Sequence, residues 1–345
     1  MNSSAGAMPE QDLRPSRLKQ ALAYAFAAAC LVWVFHDVHP RQLLGAMSIA
    51  NWWFVALAII ADVLTYVLQG IRWKVLLAPV GRLSVRRATQ GVYAGLFTNE
   101  LVPLRVGELV RAFLVSRWLS SSFTAVVPSM VVERFLDALC LAAGIGLATI
   151  FVPLPKNLVE ADAVLSGIVL LAALLFLWVI YESNRKAKRT LPGHSSRALN
   201  WLSCLASQLA SGVRDIGSSC RLLLAALASV AMLACQILAL WCMLLACNID
   251  LALAACAVAL LIVRLGTAIP NAPANIGSHQ FFCVLALSLF GVEKTVAAGF
   301  SIVYFLALTL PLWTLGLLAL SRTGLRLSTI RLRTRIRRDA WPRLS

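Results

Sequence analysis

Charge is scarce in this chain: ionisable side chains make up 13% of its 345 residues, with 15 acidic ones against 31 lysines and arginines. With 60% hydrophobic residues and a mean hydropathy of +0.81, the composition lies far outside the soluble range and describes a polytopic membrane protein. No stretch is both long and polar enough for a soluble catalytic domain, and no Walker loop, GxGxxG-before-strand or Ser/His/Asp set occurs. A soluble-type enzyme is therefore not expected. The nine cysteines include no CxxC pair and no Cys/His cluster at metal spacing, so most read as small residues of apolar helices, and neither metal nor cofactor is implied.

The net charge of +16 raises nucleic acid as a partner. Its distribution argues otherwise, because the basic residues fall in short segments beside apolar runs: Arg14/Arg17/Lys19, Arg82/Arg86/Arg87, Arg185 to Arg189 and Arg322 to Arg338. This is the positive-inside pattern, with no fold signature of nucleic-acid binding beside it. No small-residue cleavage site follows the first apolar run, which is expected to stay as an anchor.

A helix needs about twenty apolar residues to cross the hydrocarbon core. The sequence offers six such crossings, at 18–38, 52–72, 122–152, 163–181, 222–247 and 296–320. Two further stretches are interrupted, 84–118 at Pro103 and 252–291 between Ala268 and Gly277, and each reads as two short helices joined by a Pro/Gly element. The expected architecture is all-α, with six full crossings and two broken hairpins in one domain over 18–320. A cytoplasmic segment at 1–17 and a basic cytoplasmic tail at 321–345 flank it. Lysine and arginine counts make the first hairpin enter from the cytoplasm and the second from outside. The halves, 18–152 and 163–320, then read as an inverted-topology repeat joined by a cytoplasmic loop and interfacial helix over 182–219. Interrupted segments in matching places of two halves point to a transporter's midplane site.

The charges that remain inside the apolar sequence concentrate in that region. An ionisable side chain at the bilayer centre costs at least about 2.5–3.5 kcal/mol, so it marks a pathway, a pairing network or a site. Arg105, Glu108 and Arg111 recur at i, i+3 and i+6, which brings neighbours within reach on a helix. Glu133, Arg134 and Asp137 share one face of the next crossing. With Arg72 and Arg264, the cations are Arg72, Arg105, Arg111, Arg134 and Arg264, set against Glu100, Glu108, Glu133 and Asp137. That balance leans towards an anionic guest, and the arginine fork suits phosphate. The alternative is a set of salt bridges that only hold the bundle together.

Pro103 and Pro273 each precede a helix start whose N–H groups could face an anion, and His279 follows the second break. Trp52, Trp53, Trp73, Trp178 and Trp313 sit near ends of crossings and read as aromatic-belt anchors.

The run Arg72-Trp73, Asn99-x-x-x-Pro103-x-Arg105-x-Gly107-Glu108-x-x-Arg111 and Glu133-Arg134-x-x-Asp137 resembles the flippase-like family typified by the transmembrane region of lysylphosphatidylglycerol synthases. In the second half, many members carry Pro-Gly-Gly-x-Gly followed by Glu. This chain reads Pro273-Ala274-Asn275-Ile276-Gly277-Ser278-His279-Gln280, which keeps the last glycine without the acid. The resemblance implies movement of an anionic or glycosylated lipid between leaflets of the bacterial inner membrane, with the lipid as partner and lipid-biosynthetic enzymes as further partners. It does not extend to aminoacyl transfer, which belongs to a separate domain of the two-domain members. An integral-membrane enzyme or accessory subunit in lipid or surface-glycolipid synthesis is the other reading.

Overall fold

The structure is a computed structural model that describes residues 17–36, 49–102, 106–151, 219–268 and 272–323, with scattered residues between 38 and 47. All regular structure among the described residues is helical: α1 (Arg17–Phe35), α2 (Trp52–Leu76), α3 (Val85–Leu101), α4 (Gly107–Trp118), α5 (Phe123–Phe151), α6 (Ser219–Ala246), α7 (Leu253–Thr267), α8 (Ser278–Ser288) and α9 (Lys294–Ser321). A single 3₁₀ turn, Pro273–Asn275, lies between α7 and α8.

The organisation of the bundle can be read along α2. Asn51 caps it, its side chain accepting the N–H of Trp53 at 3.0 Å. One stripe at alternating three- and four-residue spacing is buried throughout: Val55, Ala58, Asp62, Thr65, Gln69, Arg72 and Leu76. Its ends are apolar and its middle is polar. The N-terminal part, with Val55, Ala58 and Ala61, joins a core built with α6, α7, α8 and the first half of α9 around Met243, Leu287 and Phe300. Beyond the stripe, Trp73 and Leu77 join a second core with Val92 of α3, Ala112 and Val115 of α4 and Val126 of α5. The polar stretch from Asp62 to Arg72 thus lies between two apolar cores, halfway along a helix about 38 Å long at 1.5 Å per residue.

Both interrupted stretches are hairpins of short helices. The first is α3 and α4, of 17 and 12 residues, and the second is α7 and α8, of 15 and 11 residues. Each member falls short of the roughly twenty residues a crossing needs. In each half a long helix precedes the hairpin and another follows it, α2 and α5 in the first, α6 and α9 in the second. The matching helices α2 and α6 pack along each other, and α3 of the first hairpin meets the Pro273–Asn275 turn of the second.

The predicted crossings at 52–72, 222–247 and 296–320 are α2, α6 and α9, each long and apolar enough to span. Those at 18–38 and 122–152 are α1 and α5, the latter of 29 residues with Glu133, Arg134 and Asp137 on it. The 163–181 crossing, the 182–219 segment and most of both flanking segments fall outside the described residues, as do Pro103 and Arg105. Of the tryptophans, Trp52 and Trp53 are exposed as belt anchors should be. Trp73 corrects that expectation: it is fully buried, with its Nε1–H donating to Ser129 Oγ at 3.1 Å. Trp178 lies outside the described residues.

Candidate functional site

At the level of the polar middle of α2, three helices, α2, α4 and α5, converge at Glu133. Its side chain is fully buried, and the cost of its charge is met by an unusual density of donors. Arg111 of α4 engages it fork to fork, Nη1 to Oε1 at 3.2 Å and Nη2 to Oε2 at 2.7 Å. Arg72 Nη2 adds a bond to Oε1 at 2.9 Å, and Gln69 Nε2 another at 3.0 Å. Arg72 is itself fully buried and uses Nη1 twice, towards Asp137 Oδ1 at 2.6 Å and Ser229 Oγ of α6 at 2.8 Å. The guanidinium of Arg111 also lies over the Trp73 ring, 4.3 Å from its centroid, a cation–π contact strengthened by exclusion from water. This accounts for the burial of Trp73.

Arg134 faces the other way and is 44% exposed, with Asp137 Oδ2 at 3.4 Å and both Glu133 Oε1 and Glu108 Oε1 at 3.8 Å. Within this cluster three arginines, Arg72, Arg111 and Arg134, balance three carboxylates, Glu108, Glu133 and Asp137. Glu108 and Arg111 share α4 but find their partners on α5.

The first break is held by Asn99 and Gly107. Asn99 Oδ1 accepts the Gly107 N–H at 2.7 Å, tying the last turn of α3 to the first turn of α4. The two backbones touch: a Cβ on Gly107 would overlap the Gly95 carbonyl oxygen, and one on Gly95 would lie 2.8 Å from the Gly107 oxygen. Only hydrogen fits between them.

The second break is built differently from the expectation for Pro273. That residue opens the short 3₁₀ turn, and the helix begins only at Ser278 after Gly277. Gly277 has φ +87°, and a Cβ there would strike the carbonyl oxygen of Ala27. Its N–H donates to Gln280 Oε1 at 2.8 Å, so this donor is taken within the protein. His279 packs against the rings of Tyr304 and Phe305, both centroids 5.6 Å away, and it is not among the lining residues of the cavity described next.

Between the hairpin tips lies a cavity of about 240 Å³. Asn99 and Glu100 from α3, Glu108 from α4, Arg134 and Asp137 from α5, and Ala274 and Asn275 from the 3₁₀ turn all line it. Arg72, Arg111 and Glu133 stand behind this wall, closed from water. Glu100 Oε2 accepts from Trp313 Nε1 at 3.4 Å. Arg264, near the end of α7, also lines the cavity, and among the described residues its guanidinium has neither ion pair nor hydrogen bond. With Arg105 outside the described residues, the charges singled out from the sequence stand at four cations to four carboxylates, and Arg264 is the cation among them with no ion pair among the described residues.

Two residues here were not singled out from the sequence. Gln236 of α6 lines the cavity with its Oε1 buried and without a hydrogen-bond partner. Asp62 is buried on the polar stripe of α2, its Oδ2 also without a donor; four residues on, Tyr66 lines the cavity and packs edge-on against Tyr93 at 5.4 Å. The available signal for Asp62 was the spacing Asp62-Thr65-Gln69-Arg72, polar residues on one face of an apolar helix.

Among known proteins, a UPF0104 membrane protein of Methanothermobacter thermautotrophicus is 26% identical over 163 residues, covering 46% of this chain and 45% of that protein. Glycosyltransferase AglD of Haloferax volcanii is 26% identical over 114 residues, 33% of this chain and 18% of that protein. The matches span less than half the length of either relative. Residues 20–316 match the lysylphosphatidylglycerol synthase TM region, and the chain belongs to that family.

Proposed function

We propose that this chain is a lipid transporter of the bacterial inner membrane, with both termini cytoplasmic, and that it moves a phosphate-bearing lipid between leaflets: an anionic phospholipid, a polyprenyl-phosphate carrier or a glycolipid. The observation that carries this reading is Arg264, an unpaired guanidinium facing a polar cavity between two broken hairpins. Arg264 is half-buried, with its guanidinium open to the cavity, and a phosphate there would meet its charge through a bidentate contact. The cluster of Arg72 and Arg111 with Glu133 and Asp137, two cations against two carboxylates, then serves as a rigid wall, while Arg134 and Glu108 present rearrangeable charges to the headgroup. A volume of about 240 Å³ holds a headgroup and leaves the tails in the bilayer. The test is a leaflet-exchange assay in proteoliposomes, with fluorescent phospholipids and a polyprenyl-phosphate analogue. The protein should accelerate exchange of at least one lipid and Arg264→Gln should slow it about tenfold or more, the worth of one charge-assisted bidentate contact; equal rates with and without protein across the panel reject the reading.

A second reading, a membrane enzyme or accessory subunit in glycolipid assembly, is favoured by the partial likeness to a protein named as a glycosyltransferase. Glu108 or Asp137 at the cavity would then be the general base. Product formed from a lipid donor by the pure protein, and lost in Glu108→Gln, would select this reading over transport.

A further inference from the structure

A second cavity, of about 520 Å³, opens where α3 begins and α9 ends. Four arginines converge on it from three segments: Arg82 in the turn after α2, Arg86 and Arg87 in the first turn of α3, and Arg322 just past the end of α9. Its other lining residues are Ser84 and Gln90. Gln90 Nε2 donates to Ala319 O at 3.1 Å, which fastens α3 to α9 and so holds the two sides of the cavity together. Among the described residues no carboxylate lines this cavity, and none of the four guanidiniums has an ion pair.

All four arginines are exposed, as basic residues that set membrane orientation are, but they line one common hollow, and like charges gathered around one volume favour an anion within it. The deep cluster around Glu133 shows how this protein neutralises arginines it keeps together, and here no such partner is present among the described residues. We propose that this cavity is a second anion site, which takes a phosphate or diphosphate group. A phosphomonoester carries about −1.5 to −2 charges at neutral pH and offers three oxygens, a diphosphate more, and paired oxygens match the guanidinium fork. A single carboxylate is too weakly charged to balance four arginines. The site shares no lining residue with the cavity between the hairpins. Helix α3 connects the two, running about 18 Å from Arg87 to Asn99 at 1.5 Å per residue, so a phosphate held here stands one helix length from the central cavity.

The test is isothermal titration of the full-length protein in neutral detergent with sodium pyrophosphate, and separately with micelles containing phosphatidic acid against phosphatidylcholine micelles. Wild-type protein should bind pyrophosphate, phosphatidic acid or both in preference to phosphatidylcholine and to sodium chloride of equal ionic strength. Arg86→Gln/Arg322→Gln should weaken binding by about a hundredfold, roughly tenfold for each fork lost. Arg86→Lys/Arg322→Lys, which keeps the charge and loses the fork, should fall between. Thermal melting verifies that each variant is folded, and the lysine variant serves should the glutamine one not be. Binding of phosphatidic acid alone assigns the site to a lipid headgroup, and binding of pyrophosphate alone to a soluble phosphate compound. Binding of neither, or binding unchanged in both variants, overturns the proposal.

Discussion

At the scale of single residues, the site separates into charges that are spent on one another and groups that are not. Glu133 is the most heavily used: it takes bonds from Gln69, Arg72 and both terminal nitrogens of Arg111. Glu133→Gln leaves the buried Arg111 without its anion and Arg72 with Asp137 alone, and losing one partner of a buried pair costs about 3–5 kcal/mol. Thermal melting in detergent should show a large drop in Tm, and an unchanged Tm would mean that the cluster contributes little to the fold. Asp62 is the opposite case, a buried carboxylate with one oxygen unmet. A neutral amide of the same shape is less costly to bury, so Asp62→Asn should hold or raise Tm. Slowed lipid exchange in that folded variant would show that the acid is kept for transport; a lower Tm would show that it is engaged in the fold. The cluster of Arg72, Arg111, Glu133 and Asp137 was legible in the sequence, because charge at membrane depth is conspicuous. Its partition into a closed wall and an open cavity was not legible, since that depends on which way Arg111 and Arg134 turn. Arg264 stood in the sequence as one cation among five, and only packing shows that it has no ion pair among the described residues.

At the scale of elements, proline and glycine placed both hairpins, but the character of each break came from contacts. The stretches 84–118 and 252–291 read as broken helices and are α3–α4 and α7–α8. What holds the first break together is the approach of Gly95 to Gly107 and the Asn99 bridge, a pairing eight residues apart that helical spacing does not anticipate. Gly107→Ala must push α4 away from the Gly95 carbonyl and Asn99, a cost of about 1–3 kcal/mol by the measure of overpacked cores. A fall in Tm together with slower exchange is expected, and a variant with wild-type Tm and rate would show that the two backbones have room to spare. Pro273 does open a helical turn, as its fixed φ suits, but that turn is a single 3₁₀ turn, and Gly277, at positive φ against Ala27, sets where α8 begins. Trp73 likewise reads as a belt residue from its place at a helix end, whereas its ring is the platform for Arg111.

At the scale of the molecule, the two largest apolar clusters among the described residues lie on either side of the polar middle of α2, one hairpin in each, their tips meeting between. A headgroup can pass that level only if the tips separate, because α3 and the Pro273–Asn275 turn together wall the cavity. Leaflet exchange through this cavity would therefore require relative motion of the two hairpins. Cysteines placed at Asn99 and Asn275, in a background stripped of the native thiols, should react with a small water-soluble maleimide because both positions line the cavity. A short bifunctional reagent joining them should stop lipid exchange, and a reducible linker should restore it on reduction. Exchange that continues at the uncrosslinked rate with the tips joined would reject the path between the hairpins and leave the cavity as a static polar pocket.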